Sequence, residues 1–390
     1  MTKQVQEAYI VAAVRTPVGK APRGMLRNVR PDDMLAHVIK HALAQVPSLD
    51  KNLIGDVIVG CAIPEAEQGM NVARIGLLLA GLPESVPGIT VNRFCASGLS
   101  AVAMAADRIR LGEDDVMIGA GTETMSLIPM GGNKIAFNNA LFDGNHNLGI
   151  AYGMGMTAEK VAQQWKVSRE AQDQFALASH QKALKAGDTG EFKDEIAPYT
   201  ITDAVPDLEQ DTIVVKSRTV DRDEGPRADT SLEGLAKLRA VFAAKGSETA
   251  GNSSQTSDGA GAVVLVSERI LKQFHLKPLA RFVGFAVAGV PPQIMGIGPI
   301  EAIPKVLKQT GINAADLDWI ELNEAFAAQS LAVINELKLD PSKINPLGYV
   351  PALELDGQNG VRSIQEHRCL RPTSGIVRHL PRHDNCRSRA

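Results

Sequence analysis

The stretch VNRFCASGLSAVAMAADRIRLG (91–112), followed at once by EDDVMIGAG (113–121), decides the fold class. A β-branched run, GITVNRF (88–94), gives way to a helical period over 96–111. Leu99, Val102, Ala106 and Ile109 share one face of it, and Gly112 ends it. DVMIGAG (115–121) then reads as a short, wholly apolar strand, the kind found inside a sheet covered on both faces. Strand, helix and buried strand in succession predict an α/β architecture.

The same alternation extends outward. AYIVAAV (8–14) and DVIVGCA (56–62) read as strands, a helical pattern covers 32–46, and GAGAVVLVSE (259–268) is another buried strand. Residues 125–245 differ. They hold Met and Gly clusters, a helical stretch at 157–186 and the charged run DRDEGPRADTSLEGLAKL (221–238), so they read as an insertion on the α/β core. There is also an internal echo. HVIKHALAQV (37–46) with DVIVG (56–60) resembles EAIPKVLKQT (301–310) with DWIELN (318–323), which suggests a duplicated α/β half with a site between the halves.

Composition narrows the function. A chain of 390 residues allows two or three domains, and 44% hydrophobic residues are enough for a large core. Balanced charge, 41 basic against 44 acidic residues, and only 4% aromatics leave no basic or base-stacking surface for nucleic acid. No apolar run approaches the roughly 18 residues of a membrane span. Four cysteines are too few for a disulfide scaffold, and the N-terminus lacks a secretory pattern, so a cytoplasmic protein is expected. No metal site is expected, since Cys369, His379, His383 and Cys386 lack the tight pairing of zinc ligands.

Cys95 stands between a strand and a helix, where unsatisfied N–H groups and the helix dipole favour a thiolate. Ala96, Ser97 and Gly98 leave room for a carbonyl to reach its sulfur. Spacing alone divides Cys95 evenly between nucleophile and packing residue, whereas Cys61, inside an apolar strand, reads as core.

Six motifs in order then resemble one family: AAVRTPVG (12–19), VNRFCASGLSAV (91–102), GAGTETMS (119–126), GMGMTAEKVA (153–162), TAGNSSQTSDGAGAVVL (249–265) and NEAFAAQ (323–329). They are similar to the thiolases, which make or break a carbon–carbon bond between acyl-CoA thioesters. The resemblance implies two αβα halves stacked as five layers, with a loop domain inserted in the first. It assigns 1–268 to the N-terminal half, including the loop domain at about 125–245, and 269–348 to a partial C-terminal half. By resemblance Cys95 takes the acyl group as a thioester, and Asn323 orients a water in an oxyanion hole. Ser254 contacts the pantetheine arm of coenzyme A. Met154 lies where short-chain biosynthetic members carry a preceding histidine; Gly153 stands there instead. With MSLIPMGG (125–132), this is similar to the degradative 3-ketoacyl-CoA thiolases. Glu324 reads as structural, and Arg227 and Lys237 as a solvated charged face.

The resemblance stops after NPLG (345–348). Residues 349–390 contain no Gly-His-Pro and no Cys-x-Gly, and they carry seven arginines, no lysine and no regular strand or helix period. They read as a shifted reading frame, sequencing error or divergence beginning near Gly348, so neither the family's activating histidine nor its second cysteine is assigned. The expectation is an acyltransferase of fatty-acid breakdown that needs no cofactor, uses coenzyme A as substrate and assembles as a homodimer or homotetramer. The alternative is a non-catalytic CoA-ester-binding or scaffold member.

Overall fold

The computed structural model describes residues 5–144 and 148–348, together with the backbone of 375–378. Its strands in chain order are β1 (Ala8–Arg15), β2 (Gly19–Lys20), β3 (Ile54–Gly60), β4 (Gly88–Val91), β5 (Val116–Thr124), β6 (Tyr199–Asp207), β7 (Thr212–Val220), β8 (Ser257–Ser267), β9 (Ala280–Phe285) and β10 (Gly375–Arg378). The helices are α1 (Pro31–Ala44), α2 (Val72–Leu79), α3 (Ser97–Arg110), α4 (Met154–Gln164), α5 (Arg169–Thr189), α6 (Leu232–Ala236), α7 (Glu268–Gln273), α8 (Gly298–Thr310) and α9 (Ala327–Leu337).

One sheet carries the order β10-β9-β1-β8-β5-β3-β4, with β2 on β8. β3 runs parallel to β4 and β5, while β8 lies antiparallel between β1 and β5. Alternate residues of each strand feed two separate cores. Val57, Val59, Ile118, Val264 and Val266 pack with Met34, Leu35, Val38 and Ile39 of α1 and Leu77 of α2. Ile58, Met117, Val263 and Leu265 point the other way, onto Val102, Ala105, Ala106 and Ile109 of α3. The strands are therefore apolar throughout because both faces are covered, and each such Val, Leu or Ile contributes about 1.5–3 kcal/mol. α3 lies close to the sheet: a Cβ on Gly119 would sit 2.8 Å from the Val102 Cα, and one on Gly60 would collide with the backbone at Ser97 and Gly98.

The segment 125–245 carries α4, α5, α6 and the separate hairpin β6–β7. Arg15 of β1 ties it to the sheet. The Arg15 Nε donates to Glu195 Oε1 at 2.6 Å, and Nη1 and Nη2 donate to the two Asp223 oxygens at 2.7 and 2.9 Å. All three side chains are buried.

The second half differs from expectation at one strand. α8 forms over the predicted helix, but 318–323 makes only a single bridge, Ile320 to Ile344. Its side chains Leu317, Ile320 and Leu322 still pack against Val333, Ile334 and Leu339. Among the described residues its backbone meets 343–345, through the Ile320–Ile344 bridge and the Asn345 side chain on Leu322. β9 joins the main sheet instead, at Tyr9 and Ile10 of β1. The tail, read as having no strand, supplies one: Gly375–Arg378 pairs antiparallel with β9. The rest of 349–390, with the frame-shift reading, lies outside the described residues.

Candidate active site

Cys95 sits on the turn from β4 into α3, at the end of the sheet where the parallel strands finish, the usual place for a ligand in an α/β fold. The turn is held from several sides. Asn92 Nδ2 donates to the Ala62 carbonyl at 2.8 Å, and Asn92 Oδ1 accepts the Phe94 N–H at 2.8 Å. Ser97 Oγ accepts the Arg93 N–H at 2.7 Å and donates to the Phe94 carbonyl at 2.6 Å. Ser100 Oγ donates to the Ala96 carbonyl at 2.7 Å and accepts from Arg93 Nη1 at 2.8 Å. These bonds keep Phe94 at φ 47°, a left-handed conformation that costs a non-glycine residue roughly 1–3 kcal/mol. No side chain caps α3, so its positive end is left beside the half-buried Cys95. Cys61, by contrast, is fully buried in the core, as read from sequence.

Ser254 lies at a second seam, to which Asn323 and Met154 are tied through neighbouring residues. The Ser254 N–H donates to the Ala325 carbonyl at 3.0 Å and the Ala327 N–H to the Asn252 carbonyl at 2.9 Å, with an antiparallel bridge between Ser253 and Phe326. The motifs TAGNSSQ and NEAFAAQ thus form one short paired unit, placing Ser254 alongside Ala325 and Phe326. The Ser254 hydroxyl itself donates to the Gln255 carbonyl at 3.2 Å. Met154 begins α4, where the next residue, Gly155, packs directly on the Phe242 ring, and Phe242 meets Phe326 edge-on at 6.0 Å. The described contacts therefore link Met154, Ser254 and the Asn323 segment. Cys95 is placed by different elements, β4 and α3.

Asn323 is half-buried between two anchored neighbours. Asn345 reaches across to hold Leu322 as a strand partner would, accepting its N–H and donating to its carbonyl, both at 2.8 Å. Glu324 accepts from Ser179 Oγ and Asn345 Nδ2, each at 2.6 Å. Burial pushes the Glu324 carboxyl up to about 7, against the pull of those two hydrogen bonds. Asn345, Ser179 and Phe242 were not legible as site residues, because their partners lie far along the chain. Arg227 and Lys237 are exposed and paired with Asp229 and Glu233. Among the described residues, no group of three or more His, Cys, Asp or Glu could hold a metal ion, and no helix is long and apolar enough to cross a membrane.

A covered α/β sheet with a cysteine on a constrained strand-to-helix turn, together with a separate seam that joins two distant motifs, defines a candidate cysteine-centred transfer site. The chain belongs to the thiolase family. Residues 8–269 match the thiolase N-terminal domain and residues 276–365 the thiolase C-terminal domain, so the match runs past Gly348, where the sequence reading ended it. Over 350 residues the chain is 49% identical to a 3-ketoacyl-CoA thiolase of Bacillus subtilis (strain 168), covering 90% of this chain and 88% of that protein. It is 44% identical to a peroxisomal 3-ketoacyl-CoA thiolase A of Mus musculus, covering 89% and 80%. Among solved structures, a human mitochondrial 3-ketoacyl-CoA thiolase matches with a TM-score of 0.82 at 34% identity, covering 96% of this chain and 99% of that one. The chain is thus of the thiolytic acyltransferase type, with CoA esters as its class of substrate.

Proposed function

We propose that this protein cleaves 3-ketoacyl-CoA by thiolysis, with Cys95 as the nucleophile. The Cys95 sulfur attacks the 3-keto carbon, and the bond between C2 and C3 breaks. The acyl group stays on sulfur as a thioester, and acetyl-CoA leaves as an enolate that takes up a proton. Completing the cycle takes a second CoA thiol that attacks the thioester and carries off the shortened acyl-CoA; with no match to the family's histidine or second cysteine after Gly348, this chain is expected to stop at the thioester. The observation that carries this reading is the position of Cys95: a half-buried cysteine at a helix start with no side-chain cap, on a turn held by Asn92, Ser97 and Ser100.

Asn323 would orient a water toward the developing oxyanion, held in place through Leu322 and Glu324. Ser254 would meet the pantetheine arm through the seam with Ala325, and Met154 would border the acyl group. No cofactor is required. The reading is tested by incubating the protein with acetoacetyl-CoA and weighing it intact: an added acetyl mass on Cys95 supports it, and an unmodified protein at saturating substrate refutes it. The non-catalytic alternative, a CoA-ester-binding member, is favoured by the absence of Gly-His-Pro after Gly348. CoA binding without acylation would select it.

A role in fatty-acid breakdown is supported by the names of the 3-ketoacyl-CoA thiolase relatives, and the cytoplasmic placement rests on the cysteine usage and N-terminus of the sequence alone. A homodimer or homotetramer would use the β4 edge, which ends the sheet and lies beside the exposed apolar side chains of Met70, Ile89 and Phe94.

A further inference from the structure

Glu248 is the most unusual group outside the Cys95 turn. It is completely buried, and among the described residues neither of its carboxyl oxygens has a hydrogen-bond partner. It lies in GSETAGN (246–252), against α4 and α5. The charged groups facing it are Glu159 from α4 and Arg169 and Asp173 from α5. The single cation among them is already committed. Arg169 Nε donates to both Asp173 oxygens at 3.0 and 2.8 Å, and its Nη2 donates to the carbonyls of Leu235 and Leu238 at 2.5 and 3.1 Å. Glu159 takes the local backbone donors instead, accepting the N–H of Ser247 at 3.1 and 3.0 Å and that of Glu248 at 3.1 Å. Nothing neutralises a second carboxylate there, and a buried, unpaired charge of this kind is strongly disfavoured.

The same segment leads straight into the site. Asn252 donates to Asp173 at 3.1 Å and to the Ser247 carbonyl at 3.1 Å, and its own carbonyl accepts the Ala327 N–H. Whatever holds 246–252 against α4 and α5 therefore also holds Ser254 against 325–327.

We propose that Glu248 is a proton-holding positioning residue: it stays protonated while the 247–254 segment is docked, and loss of that proton loosens the seam and weakens CoA binding. The binding half of this proposal rests on the thiolase reading above; the proton half does not. Desolvation first, and Glu159 second, push the Glu248 carboxyl up to about 8 from its ordinary value of 4.5. The folded state then holds a proton that the unfolded chain has released, so stability falls as pH rises from about 4.5 to about 8 and is level above that.

The test compares the full chain with Glu248→Gln and Glu248→Val by thermal unfolding between pH 5 and 9. In Glu248→Gln, which keeps the shape and removes the charge, Tm should match wild type at pH 5 and exceed it by about 3–5 °C at pH 9. A gap of equal size at both ends would overturn the proton half, and a wild-type Tm equal to that of both variants throughout would do the same. CoA affinity, measured by calorimetry at pH 6.5 and 8.5, should weaken about tenfold in wild type and less than twofold in Glu248→Gln. Equal pH dependence in the two proteins would overturn the coupling. Failure of wild type to bind CoA at either pH would count against the functional reading and overturn the coupling with it, while the unfolding curves would still decide the proton half.

Discussion

The amide of Ser254 donates to the carbonyl of Ala325 at 3.0 Å, and that bond joins a Gly/Ser-rich loop to the segment that carries Asn323. Two motifs that are separate in sequence thereby become one surface. Phe242 extends it, touching Phe326 on one side and Gly155, next to Met154, on the other.

Cys95→Ser and Cys95→Ala should leave folding intact and abolish the acyl adduct. Iodoacetamide at pH 7 should label Cys95 much faster than Cys61, since one is half-buried at a helix start and the other is fully enclosed. Mass spectrometry of the peptides reads both rates, and equal rates would remove the case for an activated thiol.

Gly155→Ala should disturb the seam from a distance. The added Cβ collides with the Phe242 ring, which must move off Phe326. Overpacking of this kind costs about 1–3 kcal/mol. Denaturant unfolding checks the loss, and weaker CoA binding checks that Phe326 has shifted.

Arg15→Met removes the cation that Glu195 and Asp223 share, leaving two buried carboxylates without their guanidinium. Breaking a buried pair from one side costs about 3–5 kcal/mol. The expected result is a large drop in Tm, with early proteolysis within 190–225, where the insertion loses its tie to β1.

Multiple turnover should fail even where acylation succeeds. Thiolysis needs groups to deprotonate and reprotonate the substrate, and the sequence after Gly348 has no match to the family's histidine or second cysteine. A stoichiometric burst of acetylated Cys95 without steady-state cleavage of acetoacetyl-CoA is expected. Grafting a family-like C-terminus from residue 349 should restore cycling. Sustained turnover by the unmodified chain would show that the prediction is wrong.

The α/β sheet and the Cys95 turn were legible in the sequence because their causes are local. Wholly apolar runs such as AYIVAAV and DVMIGAG mark strands covered on both faces, and a β-branched run meeting a helical period at residue 95 places the cysteine; which residues face α1 and α2 and which face α3 is decided by the packing. DWIELN has the composition of a strand, yet among the described residues 318–323 is assigned a bridge, Ile320 to Ile344, and no strand. Composition describes a segment, whereas a strand also depends on a partner that composition does not contain.

What the sequence by itself determined is therefore the period of each element, the order of the family motifs and the place of Cys95 between a strand and a helix. Only the tertiary structure decided that Ser254 would pair with Ala325, that Asn345 would clamp Leu322, and that Glu248 would be sealed against α4 and α5 with no partner for its oxygens among the described residues. Hydrogen bonding and desolvation depend on which atoms are adjacent in space. Residues far apart in the chain become adjacent only when the packed layers bring them together.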